Sequence, residues 1–280
     1  MHTDRTGQTV LLTGAANGLG KSMVLDLLEQ GFRVAAVDRD ASGLERLRDE
    51  TAGSAGQRLA VFTADLSDFD ATQLVGRINA SLGQIDILIN NAGIGQSQIR
   101  ADYHRHPPKF YQITTEQWSR AVAINASAVF QLSRAVIEPM LTRKWGRIVN
   151  ITTSLGTMLR GGYAPYGPSK ACAEALSSVM AADLEGSGVT VNVLIPGGVV
   201  NTSMIPPDAP FSRDQLLQPQ AMLPPLRWLL SRAADGVSGR RFLAHHWDAA
   251  LASEQAAAQA GAAVGWRDIA ALPVTPNFVS

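Results

Sequence analysis

Short apolar runs and amphipathic stretches alternate along most of this chain. Thr9-Val10-Leu11-Leu12-Thr13 is an unbroken apolar and β-branched run that stops at glycine, as a strand covered on both faces does. Lys21 to Gln30 then repeat apolar positions at helical spacing until Gly31 ends them. The unit recurs with strand-like Arg33–Asp38 before helical Ser42–Glu50, strand-like Arg58–Thr63 before helical Asp70–Leu82, and Ile85–Asn90 as a fourth strand. Thr114 and Gln117 have the spacing of a capping box that opens a long helix to about Arg143. Gly146–Ile151 reads as a fifth strand, Tyr166–Glu185 as a helix and Val189–Ile195 as a sixth strand, with a helix near Pro219–Arg232 and a last strand near Arg241–Ala244. Strands alternating with helices predict right-handed crossovers, hence an α/β fold: a doubly wound parallel sheet flanked by helices on both faces.

Two irregular stretches, about 94–117 and 197–218, break the alternation, and long loops over the carboxyl edge of such a sheet commonly form substrate sites. No linker, repeat or composition break divides residues 1–246, which are read as a single domain. Residues 247–280 form an extension with an alanine-rich piece at 249–263 that packs on the body, packs on a neighbouring subunit, or is loosely ordered.

Composition narrows the classes. With 280 residues, 46% hydrophobic and 17% charged, the chain has ample material for a core. Its 24 basic and 24 acidic residues cancel, and no charge block suggests a nucleic-acid arm or a membrane-binding face. The single Cys172 excludes an intrachain disulfide and points to a reducing compartment, and no cysteine–histidine set has metal-site spacing. Residues 1–8 are polar, and no apolar run approaches the ~18 residues of a spanning helix. The expectation is a soluble, cytoplasmic protein whose partner is a small molecule, with no metal, nucleic acid or membrane.

Three local patterns carry chemistry. Thr13-Gly14-Ala15-Ala16-Asn17-Gly18-Leu19-Gly20 joins a strand to a helix, so backbone N–H groups and the positive helix end face any anion placed there. Its Gly-x-x-x-Gly-x-Gly spacing differs from the Gly-x-Gly-x-x-Gly fingerprint, but the βαβ context supports a dinucleotide pyrophosphate. Asp38 closes the second strand about 20 residues after the glycines, where a carboxylate meets ribose hydroxyls and repels a 2′-phosphate. NAD is therefore expected over NADP, although Arg39 could partner a 2′-phosphate, and Asp38 could simply cap its turn. Tyr166 and Lys170, four residues apart at the start of a helix with Pro168 in its first turn, share one face. A phenol of pKa about 10 needs a neighbouring positive charge to act near neutrality.

Together with Asp65-Leu66, Asn90-Asn91-Ala92-Gly93, Asn125 and Pro196-Gly197, these patterns resemble the short-chain dehydrogenase/reductase family from about Thr9 to Ala244. The resemblance implies a Rossmann-type fold and assembly as a homodimer or homotetramer. It implies Tyr166 as general acid/base, Lys170 holding the nicotinamide ribose and depressing the Tyr166 pKa, and Asn125 holding a proton-relay water. Asp65 and Leu66 would meet the adenine, while Asn91, Ala92, Gly93, Pro196, Gly197, Val199 and Thr202 line the cofactor groove. Asn125 as a satisfied core amide and Asp65 as a turn cap are the plain alternatives.

The chain departs from the family at three places. Thr153 stands where a Ser is usual, so the substrate-orienting hydroxyl is assigned to Thr153, with Ser154 as adjacent candidate. Asn201 occupies the usual Thr position after Pro196-Gly197, and Thr202 follows one residue later. The 94–117 segment is longer than the family's; its His104 and His106 have no acidic or cysteine partners nearby in sequence and read as loop histidines. With Tyr103, Met158, Arg160, Tyr163 and Met204 this loop could enclose a bulky or aromatic substrate, and Arg100, Arg105 or Arg160 could meet its carboxylate. The reading is an NAD-dependent oxidoreductase interconverting a secondary alcohol and a ketone. An NADPH-dependent carbonyl reductase and a non-catalytic dinucleotide sensor or scaffold are the alternatives.

Overall fold

The alternation of apolar runs and amphipathic stretches becomes one eight-stranded sheet in the computed structural model, which describes residues 5–269 apart from 52, 54, 207, 208, 210 and 211. The first half runs β1 (Thr9–Thr13), α1 (Gly18–Glu29), β2 (Arg33–Asp38), α2 (Ala41–Glu50), β3 (Leu59–Thr63), α3 (Ala71–Leu82) and β4 (Ile87–Asn90). A long helix follows in two parts, α4 (Thr115–Val122) and α5 (Ala128–Arg143), then β5 (Gly146–Ile151), α6 (Leu155–Met158), α7 (Tyr166–Asp183) and β6 (Val189–Ile195). The chain ends with α8 (Leu223–Leu230), β7 (Arg240–Leu243), α9 (Ser253–Ala260) and β8 (Gly261–Ala263). The strand order is β3-β2-β1-β4-β5-β6-β7-β8, with β1 to β7 parallel and β8 antiparallel to β7. The order reverses between β1 and β4, which opens a crevice at their carboxyl ends.

Side-chain alternation along the strands builds an apolar layer on each face. On one face Val10, Leu12, Val34 and Ile89 pack against Met23 and Leu27 of α1 and Leu226 and Leu229 of α8. On the other, Leu11, Ala35, Val37 and Leu88 meet Leu74 and Ile78 of α3 and Leu132 and Val136 of α5.

One feature departs from the sequence reading, and another decides among its alternatives. The capping box forms as read, with Thr114 Oγ1 accepting the Gln117 N–H at 3.2 Å and Gln117 Oε1 accepting the Thr114 N–H at 3.1 Å. The helix it opens is interrupted, however, by a π-helical turn at Ala123–Ser127, a kind of irregularity concentrated at functional sites. The tail, in turn, packs on the body over its described length. Ala256, Ala257 and Ala260 of α9 are buried, β8 extends the sheet beside β7, and Val264 packs with Val193 and Ile195. A Gly-Ala-Ala strand lacks the β-branched signature, so only its pairing reveals it. Residues 1–4 of the polar start, 270–280 of the extension and parts of the 197–218 loop lie outside the described residues.

Candidate active site

The glycine turn is held by contacts too close for any side chain. A Cβ on Gly20 would stand 1.8 Å from the Gly14 carbonyl oxygen, and one on Gly14, where φ is +68°, would stand 2.8 Å from Ala92 Cα. Asn91 Nδ2 donates to the carbonyls of Thr13 at 2.9 Å and Gly14 at 3.1 Å, and Thr13 Oγ1 accepts the N–H groups of Asn91 and Ala92. Thr13 is thus a tie between β1 and β4: it is 1% exposed, spends its hydroxyl on backbone and does not face the cleft, which corrects its expected place on the cofactor wall. Asn17 precedes α1 without capping it, its amide donating instead to Asp40 at 3.1 Å, and the first turn of α1 holds no acidic residue. The opening N–H groups of that helix therefore face the cleft with their positive end uncompensated, as an anion site requires.

The cleft is about 790 Å³. Its adenosine-type end is lined by Gly14, Asn17, Gly18, Leu19, Gly20, Asp38, Arg39, Asp65 and Leu66, with Asp40 added. Asp38 both lines the cleft and braces the turn, accepting the N–H groups of Ala16 and Asp40 at 3.0 Å each. Asp65 likewise lines the wall while capping its own turn; hydrogen bonds from the Ser67 hydroxyl and N–H lower its pKa, with Arg120 at 3.3 Å adding to the effect. Arg39 donates to Gln98 at 3.4 Å and its charge also helps lower the Asp65 pKa. Ala92, Gly93, Pro196, Gly197, Val199 and Thr202 line the middle of the groove. Thr202 is the residue turned to the glycines, since a Cβ on Gly18 would meet its Cγ2 at 3.0 Å, whereas Asn201 is turned away to Gln218 and Arg213.

Tyr166, at the first position of α7, stands at the other end of the cleft, and the Thr153 hydroxyl is hydrogen-bonded to its phenol. Burial pushes the phenol up to about 12, and the Thr153 bond offsets only part of that. This reverses the expected depression by Lys170, because that ammonium is turned to the Ile151 carbonyl at 2.9 Å and burial lowers its own pKa to about 8. Asn125 sits in the π turn, fully buried, and does not face the cleft. Its Oδ1 accepts the Ile94 N–H at 2.9 Å, and its Nδ2 donates to the Ile94 carbonyl and to Ser169 Oγ. The side chain is held by these neighbours, the plain alternative for this residue.

Ser154 caps α6, bonded to the Thr157 N–H and hydroxyl, so Thr153 presents the hydroxyl to Tyr166. Tyr103, Arg160, Tyr163 and Met204 all line the cleft beyond Tyr166. Met158 is instead 3% exposed and packed under α7, and Arg100 pairs with Asp102 at 2.8 Å; neither they nor Arg105 line the cleft. Asp102 also pairs with His106 Nδ1 at 2.8 Å, an acidic partner four residues away that the sequence reading overlooked. No cluster of metal-ligating side chains occurs among the described residues.

One group behind the site escaped the sequence reading. Glu174, 0% exposed on α7, accepts the Thr152 hydroxyl at 2.9 Å and pairs with Arg241 of β7 at 2.7 Å, while Arg241 reaches the Thr153 carbonyl at 3.4 Å. The Gly265 N–H from the tail also serves that carboxylate. Residues 151 to 153 are thereby tied one after another to Lys170, Glu174 and Arg241. The i+4 spacing from Lys170 to Glu174 was the available signal, since it puts both on one helix face.

The site has clear relatives. A family model described as short chain dehydrogenase matches residues 8–210. The 3-oxoacyl-[acyl-carrier-protein] reductase of Escherichia coli K12 is 31% identical over 191 residues, covering 68% of this chain and 73% of that protein. Nodulation protein G of Azospirillum brasilense is 33% identical over 198 residues, covering 70% and 75%. Among solved structures, a short chain dehydrogenase of Shigella flexneri complexed with NADP superposes with a TM-score of 0.77 at 23% identity, over 88% of this chain and all of that one. An NAD(P)-dependent gluconate 5-dehydrogenase from Beutenbergia cavernae, solved with NADP, gives 0.72 at 28% identity over 85% and 94%. The chain belongs to the short-chain dehydrogenase/reductase family and is an NAD(P)-dependent oxidoreductase.

Proposed function

We propose that the protein interconverts a secondary alcohol and a ketone, with NAD as its dinucleotide and Tyr166 as the proton donor and acceptor. The observation that carries this is a single cleft with a side-chain-free turn and helix N-terminus at one end and the Tyr166–Thr153 hydroxyl pair at the other. The glycine cradle, which any Cβ would fill, fits a pyrophosphate, and Asp38 and Asp40 fit unphosphorylated ribose hydroxyls. When bound, the nicotinamide supplies or accepts the hydride.

The chain's own residues handle the proton. With its pKa at about 12, the Tyr166 phenol is protonated at neutral pH and can donate to a carbonyl oxygen while Thr153 fixes that oxygen's direction. In the reverse direction the same phenol must first be ionised, so oxidation is favoured by alkali. Lys170 adds positive charge beside the site for as long as it stays protonated, up to about pH 8.

NADP is the second reading. Two structural relatives carry it, and Arg39 is the cation on the wall that could meet a 2′-phosphate. Titrating the protein with NAD and NADP separates the two: a lower dissociation constant for NADP would overturn the NAD assignment, and Asp38→Ser should then tighten NADP further. Turnover of an alcohol and ketone panel, followed at the reduced-nicotinamide absorbance, tests the reaction. Tyr166→Phe should lower kcat by about 10²–10⁴. Dinucleotide binding with no turnover of any panel member, and no difference in Tyr166→Phe, would leave only a sensor or scaffold. The exposed apolar side chains Phe130 and Leu141 of α5 and Val179 of α7 fit burial against a second copy, checked by the solution mass.

A further inference from the structure

The two ends of the cleft differ in sign. Asp38, Asp40 and Asp65 all line the dinucleotide end, and among the described residues no carboxylate lines the wall beyond Tyr166. What that wall presents instead is Arg160, set over the Tyr163 ring with its guanidinium carbon 5.0 Å from the ring centroid. Stacking uses the face of a guanidinium and leaves its N–H edge free to donate in a planar fork. Among the described residues, no carboxylate pairs with Arg160 and no side-chain hydrogen bond occupies that edge. Tyr103 stands edge-on to Tyr163, with centroids 6.3 Å apart and planes at 85°, so two aromatic rings and one cation form a continuous shelf beside Tyr166.

The shelf is braced rather than loose. Gln96, 3% exposed, donates to the carbonyls of Gly162 and Ala164, at 2.6 and 3.1 Å. Pro107 lies so close to Gly162 that a Cβ there would be 2.6 Å away. The long 94–117 loop and the segment between α6 and α7 are therefore joined into one wall, which carries the exposed Arg160 and the half-buried Tyr163. Of the three arginines that the sequence offered for a substrate carboxylate, only Arg160 lines the cleft.

We propose that the substrate is a ketone or alcohol bearing a carboxylate on a flat, apolar body, with the body on the Tyr103–Tyr163 rings and the carboxylate on Arg160. This rests on the oxidoreductase reading above and names the substrate class of the same site. A guanidinium fork and a carboxylate match in geometry and charge, whereas a carboxamide of the same shape offers one acceptor and no charge.

The test uses the full chain saturated with its dinucleotide and a matched pair of probes, 4-acetylbenzoate and 4-acetylbenzamide. Calorimetric binding reads the anion site without requiring turnover, and reduction of the same two ketones reads the reaction. The benzoate is expected to bind about tenfold tighter than the benzamide, one charge-assisted pair's worth. Arg160→Met should bring the affinity ratio to about one, and Arg160→Lys should restore part of it, because a point charge replaces a fork. Equal affinities in the wild type, or a ratio that survives Arg160→Met, would overturn the proposal. A binding ratio of the expected size with no turnover of either ketone would uphold the anion site and count against the alcohol–ketone reaction proposed above instead.

Discussion

The cleft is built by two methods at its two ends. The dinucleotide end is backbone: the carboxyl ends of β1, β2 and β4, a turn with no room for side chains, and an uncapped helix N-terminus. The substrate end is side chains delivered from far apart in the chain. Tyr103 comes from one loop, Arg160 and Tyr163 from another and Met204 from a third, with Glu174 and Arg241 bracing the site from behind. A backbone site has little freedom to vary and suits a ligand common to many proteins. A side-chain site can be rewritten residue by residue.

If that contrast holds, damage at the two ends should separate in the readout. The largest effect is expected from Glu174→Gln, which keeps a hydrogen-bonding group for Thr152 but leaves the Arg241 charge buried without its partner. Unfolding free energy from denaturant titration should fall by about 3–5 kcal/mol, and pairing the change with Arg241→Met should recover much of it. Dinucleotide affinity of the folded fraction should hardly move; if it falls with the stability, the two ends are one unit. Gly20→Ala is the counterpart at the other end. Its methyl would meet the Gly14 carbonyl, a backbone atom that cannot swing aside, so dinucleotide affinity measured by fluorescence titration should drop by about 1–3 kcal/mol.

The pH dependence is expected to be the next largest effect. Tyr166 is raised, so its phenolate is scarce at neutrality. Alcohol oxidation should climb by about tenfold per pH unit while that proton must leave, whereas ketone reduction stays level until the acid is lost. A plateau in oxidation near pH 7 would show that the loaded enzyme holds the phenol far lower than burial alone does. The smallest effects belong to the adjacent hydroxyls. Thr153→Ala should cost about 0.5–1.5 kcal/mol in kcat/KM and Thr153→Ser much less, while Ser154→Ala should register as a lost helix cap of about 1 kcal/mol in stability. A kinetic defect confined to Ser154→Ala would reverse the assignment of the orienting hydroxyl.

The sequence by itself determined the layered parallel sheet, the capping box at Thr114 and the position of the glycine turn, because each rests on neighbours within a few residues: alternation, periodicity, and positive φ angles that favour glycine. It also placed Tyr166 and Lys170 on one helix face. The tertiary structure decided what those residues do with their polar atoms. Thr13 and Asn125 were legible as residues of the site, yet their hydrogen bonds go to Asn91 and Ala92 and to Ile94 and Ser169, partners that only folding brings near. Burial likewise set the Tyr166 and Lys170 pKa values, and desolvation is a property of the packed surroundings that no spacing encodes. The same holds for β8 and the Glu174–Arg241 pair, whose residues are weak or silent locally and gain their meaning from strands and helices that meet only in the finished fold.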